Sequence, residues 1–179
     1  GSIARTWRGC AIGVPGRPMN KPLQGRRILV TRPAAQSAAL ASLIAERGGE
    51  AICFPLLDIR PVDDWQPLDD AIVRLDRFAL AIFISPNAVE FSLPRLLARR
   101  PWPACLQAAA IGPGTVSRLA DFGITEAIVP QGRYDSEALL ALPPLQVDAV
   151  AGKQVLILRG NGGRELLAET LRARGATVE

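Results

Sequence analysis

The feature that most constrains this chain is a local pattern used four times: a short apolar strand, a polar turn, then a helix. Near the C-terminus, Val155 to Leu158 runs through Arg159, Gly160, Asn161, Gly162 and Gly163 into a helix opening at Arg164. The same layout occurs at Thr31-Arg32-Pro33, at Ser85-Pro86-Asn87 and at Gly112-Pro113-Gly114-Thr115. Strands that are continuously apolar and alternate with helices predict a parallel sheet covered on both faces. The fold class is therefore α/β, doubly wound, and in such sheets a ligand binds beyond the carboxyl ends of the strands. All four turns fall there.

These turns share a chemistry. They offer Thr31, Arg32, Ser85, Asn87, Thr115, Arg159 and Asn161 together with several glycine N–H groups, and the turns themselves hold no carboxylate, histidine or lysine. Glycine lets the backbone approach a ligand closely, the first N–H groups of a helix lack intrahelical partners, and the helix dipole favours negative charge at that end. The set suits a multiply charged anion, whereas general acid–base catalysis by a tuned side chain finds no group there. Each turn also reads as ordinary capping. Ser85 followed by Pro86 is an N-cap and N1 pair worth about 1 kcal/mol to any helix.

Composition excludes other classes. With 179 residues, 49% of them hydrophobic, the chain can bury one substantial core or two small ones. No apolar run reaches the ~18 residues of a transmembrane helix. The net charge of +4 misleads, because six of the 21 basic residues stand before Ile28, where there is no acid; the other 15 face 17 acidic residues. No clustered basic face for a nucleic acid is expected. Cys10, Cys53 and Cys105 are dispersed and histidine is absent, which argues against a zinc site, a disulfide framework or a histidine dyad. Cys53 and Cys105 read as small core residues. The only methionine is Met19, so residues 1–18 read as an upstream leader, without the apolar core of a secretory signal.

A coarse pass predicts strands at Arg27 to Thr31, Ala51 to Ile59, Leu80 to Ile84, Ala108 to Ile111, Ala127 to Val129 and Val155 to Leu158, with another starting at Thr177. Helices are predicted at Ala34 to Arg47, Leu68 to Leu75, Asn87 to Arg99 with an interruption at Pro94, Thr115 to Phe122, Ser136 to Leu142 and Arg164 to Arg174. Pro55 inside the second strand suits an edge or a connecting ribbon. The proline-rich, acidic stretch Arg60 to Pro67 reads as a linker, which places a first lobe over 19–60 and a second over 61–179.

Two alternatives stand beside an anion-binding enzyme. Gly160-x-Gly162 after a strand, with Glu179 closing the next strand, is similar to the Rossmann pattern and would make the chain a nucleotide-dependent reductase. Against it, the sixth position of that pattern is Glu165, where a small residue is needed and a carboxylate would repel a pyrophosphate. Gly112-x-Gly114 has Ser117 there, and Pro113 removes an N–H. The other alternative is a non-catalytic anion-binding lobe.

In order and spacing, Ile28-Leu-Val-Thr-Arg-Pro33, Ile84-Ser-Pro-Asn-Ala-Val-Glu-Phe91, Ala110-Ile-Gly-Pro-Gly-Thr115, Val129-Pro130 with Tyr134-Asp-Ser-Glu-Ala-Leu139, and Gly152 to Leu166 resemble the bacterial uroporphyrinogen-III synthases. The resemblance runs from about Gly25 to Glu179. It implies two α/β lobes joined by a two-stranded ribbon, the second lobe ending at the return ribbon strand, with substrate in the cleft between the lobes. The implied reaction closes the linear tetrapyrrole hydroxymethylbilane to uroporphyrinogen III, with loss of water and inversion of the last pyrrole ring through a spiro intermediate. No cofactor is implied, and the setting is cytoplasmic tetrapyrrole (haem) biosynthesis. Hydroxymethylbilane synthase is implied as a transient partner, without nucleic acid or membrane.

That chemistry agrees with the turns. The substrate carries eight carboxylates and its pyrroles supply the electron push, so the protein need only aid departure of the hydroxyl, hold the chain folded and exclude closure without inversion. The resemblance assigns Ser85, Asn87, Gly112, Thr115, Arg159 and Gly160 to substrate contact, with Thr31 and Arg32 on the facing lobe. It assigns no catalytic residue and no metal ligand. Family members continue past the Thr-Val-Glu strand, and a tyrosine shortly after it is the usual candidate for assisting hydroxyl departure; Tyr134 lies in another block. The chain therefore reads as C-terminally truncated, with an incomplete first lobe, and is expected not to turn the substrate over alone.

Overall fold

The computed structural model describes residues 21–162 and 165–179, so the expected leader, 1–18, lies outside the described residues. The described chain divides between Arg60 and Pro61 into two compact units, each with its own parallel sheet.

In the first unit, β1 (Arg27–Val30) leads through α1 (Ala34–Glu46) to β2 (Glu50–Cys53), with Ile28 opposite Ala51 and Val30 opposite Cys53. After α1 the chain reverses at Gly48, whose φ of +83° is strained for any residue with a side chain. A two-stranded sheet under one helix covers little: Val30 and Ile44 are the hydrophobic side chains buried among the described residues of this unit. β2 is shorter than the sequence predicts. Phe54 and Leu56 still donate backbone bonds to Val30 and Thr31, but Pro55 between them has no N–H, and the ladder ends at Cys53 rather than Ile59. Among the described residues no ribbon partner pairs with 54–59, and Phe54, Leu56 and Leu57 are more than half exposed.

The second unit carries α2 (Gln66–Val73), β3 (Phe78–Phe83), α3 (Pro86–Leu97), β4 (Gln107–Ala110), α4 (Pro113–Ala120), β5 (Ala127–Ile128), α5 (Ser136–Leu140), α6 (Val147–Val150), β6 (Gln154–Leu158), α7 (Leu166–Ala173) and β7 (Thr177–Val178). The strands are parallel in the order β5-β4-β3-β6-β7. The sheet is covered on both faces, which is why its strands are apolar throughout. On one face Phe78, Ala81, Phe83, Ala108, Ala110, Leu156 and Leu158 pack with Ile72, Val89, Leu93, Leu96 and Leu119 from α2, α3 and α4. On the other, Leu80, Ile82, Ala109 and Val155 pack with Leu139, Leu140, Leu145, Leu167 and Leu171 from α5, α7 and the turn between α5 and α6. A register shift between Phe78 and Leu80 puts both phenylalanines of β3 into the first of these cores.

The order of winding matters for function. From β3 the chain steps outward to β4 and β5, then returns to lay β6 on the other side of β3. The switch point therefore lies between β3 and β6, where a doubly wound sheet opens a crevice at its carboxyl edge.

Three expectations need correction. Pro94 does not interrupt α3, which runs through it; the proline is exposed, so the Glu90 carbonyl that it leaves without an i+4 donor lies on the solvent side. Cys53 and Cys105 are both exposed, Cys53 at the end of the thinly covered β2 and Cys105 in the turn before β4, where Leu106 takes the buried place. The strand starting at Thr177 forms as β7, parallel to β6 at an edge of the second sheet. The short α6 is not anticipated. Among the described residues no helix is long and apolar enough to cross a membrane.

Candidate functional site

Six of the eight predicted site residues belong to the second unit, and its topology brings their turns side by side. β3 ends into Ser85, β4 into Gly112 and β6 into Arg159 and Gly160. Ile84 N–H donates to Leu158 O at 3.1 Å, which fixes the Ser85 turn next to the Arg159 turn across the switch point. A Cβ on Gly114 would stand 3.7 Å from Pro86 Cγ, so the starts of α3 and α4 are also neighbours.

Each turn has a local reason. Ser85 is extended (φ −155°, ψ 163°), its Oγ accepts from Ala88 N–H at 3.2 Å, and Pro86 fills N1, where no N–H is needed. The serine hydrogen remains available for donation. Asn87, half-buried, is the second residue of the same helix. Gly112 caps α4, again with a proline at N1; the N–H groups of Thr115 and Val116 both turn back to Gly112 O. The Gly114 N–H and the Gly160 N–H have no partner among the described residues. Thr115 is only 3% exposed, so this turn presents Gly112 and Gly114 rather than the threonine side chain.

A cleft of about 430 Å³ opens at this edge. Its floor is Ile84 and Ile157, one wall is Leu167, Ala168 and Arg172 on α7, and Arg159 to Gly162, Ser136, Glu165 and Glu179 complete the rim. Arg172 and Ser136 are additions to the sequence reading, which weighed Glu165 and Glu179 only against the Rossmann pattern. The turns are also not free of carboxylates. Arg159 Nη2 donates to Glu165 Oε1 across the glycine turn, and Glu179 takes the Arg74 guanidinium in a fork, at 2.8 and 2.9 Å. Glu179 itself is pinned beside β6, its N–H on Val155 O and its carbonyl accepting from Ile157 N–H. The fork holds Arg74 above the usual arginine range.

This geometry disfavours the nucleotide-dependent reductase. The acid that would hold a ribose is engaged with Arg74, and Glu165 stands at the glycine turn, where a pyrophosphate would have to sit. Among the described residues no three His, Cys, Asp or Glu side chains converge to hold a metal ion.

Thr31 and Arg32 lie at the end of β1 in the first unit. Arg32 donates to Gln36 Oε1 at 3.3 Å, and the buried Ser37 hydroxyl lies 3.0 Å from the carbonyls of both Arg32 and Pro33, holding the turn. Away from the cleft, α2 and α3 are tied by ions. Asp69 accepts from Arg95 at 2.6 and 2.7 Å and from Arg99, and Arg95 stands 5.1 Å over the Trp65 ring. These guanidinium bonds, Arg95 first, lower the Asp69 carboxyl to about 2.

Residues 38–179 match the family model described as Uroporphyrinogen-III synthase HemD. The chain is 41% identical over 152 residues to the uroporphyrinogen-III synthase of Escherichia coli K12, covering 84% of this chain and 61% of that protein. It is 35% identical over 153 residues to the synthase of Proteus mirabilis, covering 85% and 76%. Crystal structures of the Thermus thermophilus enzyme align over 86% of this chain and 59% of theirs. TM-scores are 0.54 for the wild type and 0.62 for a mutant, at 19% and 17% identity, so this likeness bears on fold alone. The chain spans about three fifths of the E. coli relative.

Proposed function

This chain belongs to the uroporphyrinogen-III synthase family, and we propose that the protein carrying it cyclises hydroxymethylbilane to uroporphyrinogen III, with loss of water and inversion of the last pyrrole ring. The observation that carries the proposal is the 41% identity over 152 residues, 84% of this chain, to the E. coli synthase. The geometry supports it in kind. Ser85, the Gly114 and Gly160 amides and Arg159 direct donors toward one edge, as a substrate with eight carboxylates requires, while Ile84 and Ile157 give the cleft an apolar floor for pyrrole rings.

On this reading Ser85, Asn87, Gly112, Thr115, Arg159 and Gly160 form the second-lobe side of the substrate site, with Thr115 acting through its backbone turn. Thr31 and Arg32 serve from the first lobe. Their work is positional: carboxylates held at fixed donors keep the linear tetrapyrrole curled, so that its two ends meet in the geometry leading to inversion. The leaving hydroxyl departs with the push of the pyrrole nitrogen electrons. A cytoplasmic setting, and hydroxymethylbilane synthase as the transient source of substrate, belong to the same proposal.

The test is direct. Hydroxymethylbilane is supplied to the full-length protein, the products are oxidised to porphyrins, and the type I and type III isomers are separated. Type III in excess over the protein-free control is the expected result. A type I product at the control rate overturns the proposal.

A further inference from the structure

The connection between β5 and α5 lays the chain's single tyrosine on the candidate site. A Cβ built on Gly112 would stand 3.4 Å from Tyr134 Cβ, 3.5 Å from Cγ and 3.8 Å from Cδ1, so the tyrosine stands beside the Gly112 turn with about a methyl's width between ring and glycine. Gly112 has φ −157°, an extended conformation open to any residue; what its missing side chain provides is space beside the ring. Tyr134 is nevertheless 53% exposed, and its hydroxyl has no partner among the described residues.

The mount of this ring is firm. Arg133 Nε donates to Asp135 Oδ2 at 2.9 Å, and the other oxygen of Asp135 accepts Ala138 N–H at 2.8 Å as the cap of α5. Tyr134 thus projects between two residues anchored to the start of a helix. Ser136, two positions on, already lines the cleft. A large aromatic side chain set beside the Gly112 turn, half-exposed and two residues from the cleft-lining Ser136, presents a free edge and face to a ligand that extends from the cleft along that turn. The turns supply donors for carboxylates but no aromatic surface, and a ligand made of both carboxylates and flat heteroaromatic rings needs the two together.

We infer that Tyr134 is a substrate-contacting residue that seats one pyrrole ring against the Gly112 turn and so biases the closure toward ring inversion. The inference rests on the activity proposed above. Contact through the ring means that phenylalanine replaces tyrosine and alanine does not.

The experiment compares the full-length wild type with Y134F and Y134A in KM, kcat, the ratio of type III to type I product, and melting temperature. Y134A is expected to raise KM about three- to ten-fold, the range of an aromatic contact, and to lower the type III fraction. Y134F is expected to stay within about two-fold of wild type in both, which also covers the case in which Y134A folds poorly. A Y134A protein matching wild type in KM and isomer ratio overturns the inference while leaving the activity standing. Y134F impaired as much as Y134A overturns it in favour of a role for the hydroxyl. A wild type that makes no type III product overturns the activity, and the inference with it.

Discussion

Ser85 is the residue at which capping and binding can be separated. Its Oγ accepts from Ala88 N–H at 3.2 Å, and the next N–H of the helix, that of Val89, is taken by the Ser85 carbonyl at 3.3 Å. Replacing the serine by alanine leaves the Ala88 N–H without its acceptor and costs about 1 kcal/mol; replacing it by glycine, itself a tolerable cap, costs only a few tenths. For a unit of this size 1 kcal/mol lowers the melting temperature by roughly 3–6 °C. Binding follows a different rule. A hydroxyl donating to a substrate carboxylate is worth about 1.5–3 kcal/mol, so losing it raises KM about ten-fold or more, equally for alanine and glycine. The expected pattern is therefore two-dimensional. S85A loses both stability and affinity, S85G loses affinity with its melting temperature within about 2 °C of wild type, and S85T, which keeps the hydroxyl, stays near wild type in both. Thermal unfolding followed by circular dichroism and steady-state KM for hydroxymethylbilane read the two axes. If S85G binds like wild type while S85A melts lower, Ser85 is a cap and nothing more.

Three other outcomes follow from the geometry. The folded-state pKa of Asp69 lies near 2, below its ordinary 3.8, so its ion pairs stabilise the fold above about pH 4 and that contribution fades as pH falls toward 2. The melting-temperature gap between wild type and D69N should be constant at neutral pH and shrink over that acidic window; a gap independent of pH would contradict it. Arg174 Nη1 donates to the Leu140 and Leu145 carbonyls at 2.8 and 2.7 Å, and Gln146 also serves Leu140. R174M leaves Leu145 O without that donor and should cost about 1–3 kcal/mol in denaturant unfolding, with a loss under about 0.5 counting against the bond. On the proposed substrate site, Glu165, which Arg159 holds in this structure, competes with substrate for that arginine. E165Q should lower KM about two- to five-fold; a rise would mean that Glu165 serves to aim the arginine.

The alternation of elements was legible because burial on both faces leaves an unmistakable apolar run: Phe78 to Phe83 and Val155 to Leu158 contain no charged residue, and helices with polar faces stand between them. Where the prediction erred, the missing information lay in the neighbours. Ala51 to Ile59 is apolar enough for a strand, yet strand length depends on a partner, and with β1 alone beside it and Pro55 lacking a donor the ladder stops after four residues. Cysteine burial failed for the same reason, since Cys53 lies on a two-stranded sheet with little to cover it. Pro94 was overestimated as a break because a proline on the exposed side of a helix gives up one backbone bond on the side where water can replace it.

The cleft was legible in its backbone and illegible in its charge. Gly, Pro and Ser at the strand ends announce turns and helix starts by local stereochemistry alone, and so the Ser85, Gly112 and Arg159 turns could be placed without coordinates. The carboxylates obey no local rule. Glu165 meets Arg159 across six residues of chain, and Glu179 meets Arg74 across 105. Their presence changes what selectivity means here. A rim of bare arginines would hold any polyanion, whereas here Arg159 already carries Glu165, so a ligand has to exchange for that carboxylate or bind the backbone amides beside it. Amides and hydroxyls fixed at strand ends recognise where each carboxylate lies rather than how many there are. On the proposed activity that discrimination is the one required, because the two possible products bear the same charge and differ only in the direction of one ring.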